Sequence, residues 1–169
     1  KKRKIKLLKE ANYYTEEIRR ITKDTYGFDK LYAEGLSIKS ALDVDYQLHA
    51  LSALRSGIES YDRRHGWRGP LFNTEIETNW QKKIKEKKID PSLGWKFAKI
   101  LNVSESEIIF EVINEKKMGK IKSTNLMWAI KKTIHDSFKI NDIIFVNQDL
   151  KGIWELKQYP EVNGAIVAI

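Results

Sequence analysis

Apolar positions recur every three or four residues in the first third of the chain and every second residue through most of the last half, and that change of period divides the sequence. Tyr14, Ile18 and Ile21 keep the helical spacing. Thr15 is a candidate N-cap with Glu16 and Glu17 behind it, and Gly27 is a stop, so a helix is expected over Lys1 to Thr25. Leu36, Ile38, Ser40 and Leu42 alternate with Ser37, Lys39 and Ala41, which predicts a short strand. Asp43 then caps a helix reaching Glu59, whose stripe of Val44, Leu48, Leu51, Leu54 and Ile58 is expected to be buried, in part against a domain outside the chain. Ile76, Trp80 and Ile84 give a short amphipathic helix over Glu75 to Lys87, closed by Asp90-Pro91 and Gly94.

Beyond Gly94 the period is two. Trp95 to Val103 and Glu107 to Ile113 form a hairpin through Ser104-Glu105-Ser106. A short strand near Gly119 to Ile121, an apolar segment Leu126 to Ile130, and strands at Asp142 to Val146 and Gly152 to Leu156 follow. About five short strands suit a small Greek-key barrel of the oligonucleotide/oligosaccharide-binding (OB) type. The expected fold class is α+β, a helical linker segment followed by a small five-stranded OB-like antiparallel β-barrel.

The seam between the two patterns is Ser60-Tyr61-Asp62-Arg63-Arg64-His65-Gly66-Trp67-Arg68-Gly69-Pro70. Its glycines and proline end a helix, and its arginines sit where helix carbonyls point outward. Two readings stand. Arg63, Arg64 and Arg68 form an anion or docking surface with Trp67 as a stacking plane, or they satisfy carbonyls and carboxylates at a helix stop.

The same stretch carries a resemblance. Tyr61 to Pro70, preceded by Gly35-Leu36-Ser37-Ile38-Lys39-Ser40-Ala41-Leu42-Asp43 and Gln47-Leu48-His49-Ala50-Leu51-Ser52-Ala53-Leu54-Arg55, resembles the linker region of class A penicillin-binding proteins of the 1A type. Trp154 to Ile169 is similar to the strand by which that family re-enters its transpeptidase domain. The resemblance implies four segments: 1–62 as helical linker or transpeptidase edge, 63–94 as connecting loop and short helix, 95–159 as the OB-like barrel, and 160–169 as a truncated first strand of the transpeptidase sheet. It implies a non-catalytic linker and docking domain of a bifunctional peptidoglycan synthase, glycosyltransferase and D,D-transpeptidase, whose parent is periplasmic and anchored in the bacterial inner membrane. The expected partners are the transpeptidase and glycosyltransferase domains of the same chain, a cell-wall regulator such as an outer-membrane lipoprotein activator, and peptidoglycan.

Composition narrows the alternatives. The net charge of +8 invites a single-stranded nucleic-acid binder with an OB fold, but the excess sits in two runs, Lys1 to Lys9 and Lys82 to Lys88, outside the expected strands. No nucleic acid is expected as a partner. A glycan-binding module, using the seam arginines with Trp95, Trp128 and Trp154, is the remaining alternative; those tryptophans otherwise fill the barrel. The chain has no cysteine, and its three histidines lie far apart, so neither a metal site nor a cofactor is expected. Transpeptidase chemistry needs Ser-x-x-Lys and Lys-Thr/Ser-Gly; neither occurs, and Ser123-Thr124-Asn125 stands without them, so no catalytic residue is assigned. No apolar run is long enough to cross a bilayer. Starting at Lys1 and stopping at Ile169 within an alternating pattern, the sequence is expected to be a portion of a longer chain.

Overall fold

The structure is a computed structural model and describes residues 11–165. It divides into two units, the first comprising residues 1–57 with 164–169 and the second residues 58–163.

In the described part of the first unit, α1 spans Asn12–Tyr26 and α2 Phe28–Tyr32. Gly27 separates them at φ 85°, a left-handed conformation that costs glycine nothing. Thr15 is not the cap: the helix already runs at Asn12, and Glu16 and Glu17 instead pair with Arg19 and Arg20 one turn on. The segment Lys1 to Glu10 lies outside the described residues. Leu36 to Leu42 forms no strand, because no described segment of this unit offers it a ladder; Leu36 and Ile38 are exposed.

Asp43 caps the next helix as expected, its Oδ1 accepting from the backbone N–H groups of Asp45 and Tyr46 at 3.0 and 3.1 Å. That helix, α3, spans Val44–Arg64 and runs through the boundary between the units. It is longer than the periodicity predicts because Asp62 gives its last turn a buried polar anchor. Its apolar stripe is only half covered: Val44 and Leu48 are exposed, and Leu51, Leu54 and Ile58 are half-buried.

The second unit is a six-stranded antiparallel sheet with helical trim, which makes the class α+β. The strands are β1 (Phe72–Asn73), β2 (Lys96–Val103), β3 (Glu107–Val112), β4 (Lys117–Lys122), β5 (Asp142–Gln148) and β6 (Trp154–Lys157). β5 carries β2 on one edge, with β1 and then β6 on the other; β3 and β4 continue beyond β2. One strand more than expected appears, because a two-residue strand has no periodicity to read.

Alternation places Ala98, Ile100, Ile108, Phe110, Val112, Ile121, Ile144, Val146, Trp154 and Leu156 on the inner face, in register across Ile100↔Phe110, Ile108↔Ile121 and Val146↔Leu156. The ladder does not close into a complete ring among the described residues. β4 and β6 meet instead through packing, with Gly119 beneath Phe110 and Trp154, whose rings stand edge to face at 5.5 Å. β5 is buried on both faces: Phe145 also contacts Phe97 and Trp95 at ring distances of 5.0 and 5.8 Å. This explains its unbroken apolar run.

Two helical pieces complete the unit. α4 is Trp80–Glu86, shorter than expected because Asn73 folds residues 74–79 into turns, its Oδ1 accepting from Glu75 N and its carbonyl from the N–H groups of Ile76 and Glu77. Only Ile84 of its apolar positions is buried; Ile76 is not part of it. The apolar segment at 126–130 forms a turn, sending Leu126 and Ala129 into the core. α5 (Ile134–Ser137) follows, started by a reciprocal capping box between Thr133 and Asp136.

Candidate functional site

The seam residues converge where α3 ends, and the strand leaving the barrel meets them there. Asp62, with only 5% of its side chain exposed, accepts two hydrogen bonds from the Arg68 guanidinium at 2.7 and 3.1 Å. The same guanidinium donates to the Tyr159 carbonyl at 2.6 Å and lies 3.2 Å from Glu161. Gln158 closes the loop, donating to Asp62 at 2.8 Å and to the Gly66 carbonyl at 3.1 Å while accepting from Arg68 N at 2.9 Å. Burial pushes the Asp62 carboxyl upward, but the bonds from Arg68 and Gln158 outweigh it and hold the group below its ordinary range. A second pair runs beside it: Lys157, 11% exposed, reaches Glu59 at 2.9 Å and Glu155 at 3.3 Å.

Of the four residues singled out from the sequence, three are drawn into this clasp or the core behind it. Arg63 donates to the Leu156 carbonyl at 3.4 Å and lies over the Trp128 ring at 5.2 Å. Arg68 holds Asp62. Trp67 is buried against Trp128 and Phe138, at ring distances of 5.7 and 5.6 Å, and so offers no face for stacking. Its indole Nε1 is a buried donor with no partner. Arg64 alone stays outside, over the exposed Tyr61 ring at 5.7 Å. The arrangement is a network of hydrogen bonds and ion pairs that ties residues 59–68 to residues 155–161.

Reading the sequence for function missed Asp62, Gln158, Lys157 and Glu59. One signal was available: an acid in the last turn of a helix opposes the helix dipole, so Asp62 needs a cation to hold it there. The other tryptophans divide. Trp154 is buried between the inner core and the Lys96 and Lys117 ammonium groups, at 5.9 and 5.3 Å, while Trp95 and Trp128 are half-buried. Three of the five lysines between Lys82 and Lys88 make local contacts, with Lys83 paired to Glu77, Lys82 3.8 Å from Glu86 and Lys87 over Phe145.

The sequence profile described as the penicillin-binding protein OB-like domain matches residues 67–162. The chain belongs to this family. The match runs from the buried Trp67 to just past the clasp residues that follow β6. Curated relatives are similar over nearly the whole chain. Penicillin-binding protein 1A of Rickettsia prowazekii is 33% identical over 163 residues, covering 94% of this chain and 20% of its own length. The Haemophilus influenzae protein of the same name is 30% identical over 172 residues, with 94% and 19% covered. The OB-like chain thus spans about one fifth of the relatives it matches. The crystal structure of penicillin-binding protein 1A from Haemophilus influenzae shares the fold, with a TM-score of 0.61 at 22% identity over 89% of this chain and 22% of that one.

Proposed function

We propose that this chain is the linker and OB-like docking segment of a bifunctional peptidoglycan synthase, and that its own work is positional. The family match over residues 67–162, within a chain that aligns with one fifth of penicillin-binding protein 1A, carries this reading. The clasp supports it mechanically: the barrel's entry at Asp62 and its exit at Gln158 are bonded to each other, so the barrel is tied to the chain as one inserted body. The exposed apolar side chains of residues 11–57, including Tyr13, Tyr26, Phe28, Tyr32 and Leu48, supply a surface for the transpeptidase and glycosyltransferase domains of the same polypeptide. The parent polymerises glycan strands and cross-links their peptides through a serine acyl-enzyme, facing the periplasm from a membrane anchor. Among the described residues no helix is long and apolar enough to cross a membrane.

Arg64, with the adjoining Tyr61 and His65, is the part of the seam left for a cell-wall regulator to touch. The test is covalent labelling with a fluorescent penicillin. The full-length protein is expected to label stoichiometrically and this chain to take none; stoichiometric label on the chain overturns the reading.

A further inference from the structure

Asn163 is followed by Gly164, whereas every other asparagine in the chain precedes a residue that carries a side chain. Both residues are exposed and lie in neither helix nor strand, just beyond Glu161, which Arg68 of the clasp holds at 3.2 Å. The amide carbon of an asparagine side chain lies within reach of the next residue's backbone nitrogen. What protects it is whatever crowds that nitrogen or keeps its N–H engaged.

Elsewhere the fold keeps that N–H engaged. The N–H following Asn73 donates to the Asn141 carbonyl at 2.9 Å, and the one following Asn79 to the Glu77 carbonyl at 3.3 Å. After Asn114 it donates to Val112 at 3.3 Å, after Asn125 to Ser123 at 2.9 Å and after Asn141 to Lys139 at 3.2 Å. Each of these nitrogens must break a hydrogen bond and leave its turn before it can approach the side chain. The side-chain amides of Asn73 and Asn141 are held as well, by Asp142 and Glu75. Neither restraint applies to Asn163. The Gly164 N–H donates to no described residue, and the Asn163 side chain bonds to none. Glycine also has no Cβ to obstruct the approach, and it reaches the backbone angles that closing a small ring demands.

We infer that Asn163 is a modification site, at which the chain deamidates through a succinimide without an enzyme. The Gly164 nitrogen loses its proton to hydroxide and attacks Cγ of Asn163; the side-chain nitrogen takes up a proton from water and leaves as ammonia. Water then adds to either carbonyl of the ring, and the bond from that carbonyl to the ring nitrogen breaks, the nitrogen regaining a proton. Opening at Cγ gives aspartate, and opening at the backbone carbonyl gives isoaspartate. The chain leaving the barrel thereby gains a carboxylate close to Glu161 and, in the isoaspartyl form, an additional backbone methylene. The change accumulates with time and is faster at higher pH.

The inference does not rest on the positional reading, and either can fail alone. The test incubates the whole chain in heavy-oxygen water at mildly alkaline pH, folded and in urea, and follows each asparagine by peptide mapping that separates aspartate from isoaspartate. In the folded chain Asn163 is expected to convert first, with heavy oxygen in both products, while the exposed Asn114 and Asn125 lag about tenfold or more behind. Urea should leave the rate at Asn163 unchanged and raise the rates at Asn114 and Asn125, whose neighbouring N–H groups it frees. Gly164→Ala, at an exposed position where the variant should fold, is expected to slow conversion about tenfold, which corresponds to about 1.4 kcal/mol on the barrier. An Asn163 that stays intact, aspartate formed without isoaspartate, a rate at Asn163 that rises severalfold in urea, conversion at Asn114 or Asn125 that keeps pace with it, or a Gly164→Ala chain that converts as fast as the unaltered one overturns the inference.

Discussion

Asp62 is a carboxylate placed at the wrong end of a helix for its charge and kept there by Arg68 and Gln158. Asp62→Ala removes one partner of a largely desolvated pair and is expected to cost about 2–4 kcal/mol, read from urea midpoints at neutral pH. The pH dependence has a definite sign. The folded carboxyl titrates below its unfolded value, so its contribution is full above the ordinary carboxylate range and fades as pH falls through the lower folded value. The gap between wild type and Asp62→Ala should therefore narrow only on the acid side; a gap that persists in acid contradicts the pairing. Gly119 is a second point of tight tolerance. A Cβ there would stand 2.4 Å from the Phe110 ring and 2.9 Å from Trp154 Nε1. Gly119→Ala is expected to destabilise by about 1–3 kcal/mol through overpacking, and Phe110→Leu should recover part of the loss in the double variant.

At the scale of elements, the segment from Trp67 to Pro70 is a plug as much as a connection. Trp67→Ala should cost about 3–5 kcal/mol because the ring fills the core between Trp128 and Phe138. Trp67→Phe should cost much less, since it keeps most of the area and removes the unpartnered Nε1 donor. Thermal melting of the two variants separates packing from hydrogen bonding. The same contrast shows what the sequence could tell. Strands β2, β3 and β5 were legible because inward and outward side chains alternate in them or because both faces are apolar. The Asp43 cap was legible because its bonds are local. Leu36 to Leu42 misled, since alternation marks a strand only when a neighbour pairs with it. Glu75 to Lys87 misled because Asn73 competes for the backbone groups that would start the helix. The clasp was half legible: its arginines stood out, but Gln158 and Lys157 lie some ninety residues away, and only the fold brings them to Asp62 and Glu59.

For the whole molecule, residues 58–163 form a barrel-like body whose two chain connections are bonded together, the geometry of a removable insertion. The family belongs to penicillin-binding proteins, while the chain aligns with only a fifth of the relatives, and a supporting part should be separable from the reaction it supports. The most direct measurement replaces residues 67–158 in the full-length protein by a short Gly/Ser linker, with the rates of penicillin acylation and of glycan cross-linking followed side by side. Acylation at the unaltered rate with reduced cross-linking is the predicted result. Loss of acylation in a protein whose transpeptidase domain still melts at the wild-type temperature would mean that the barrel helps to build the active site, and would contradict the positional role.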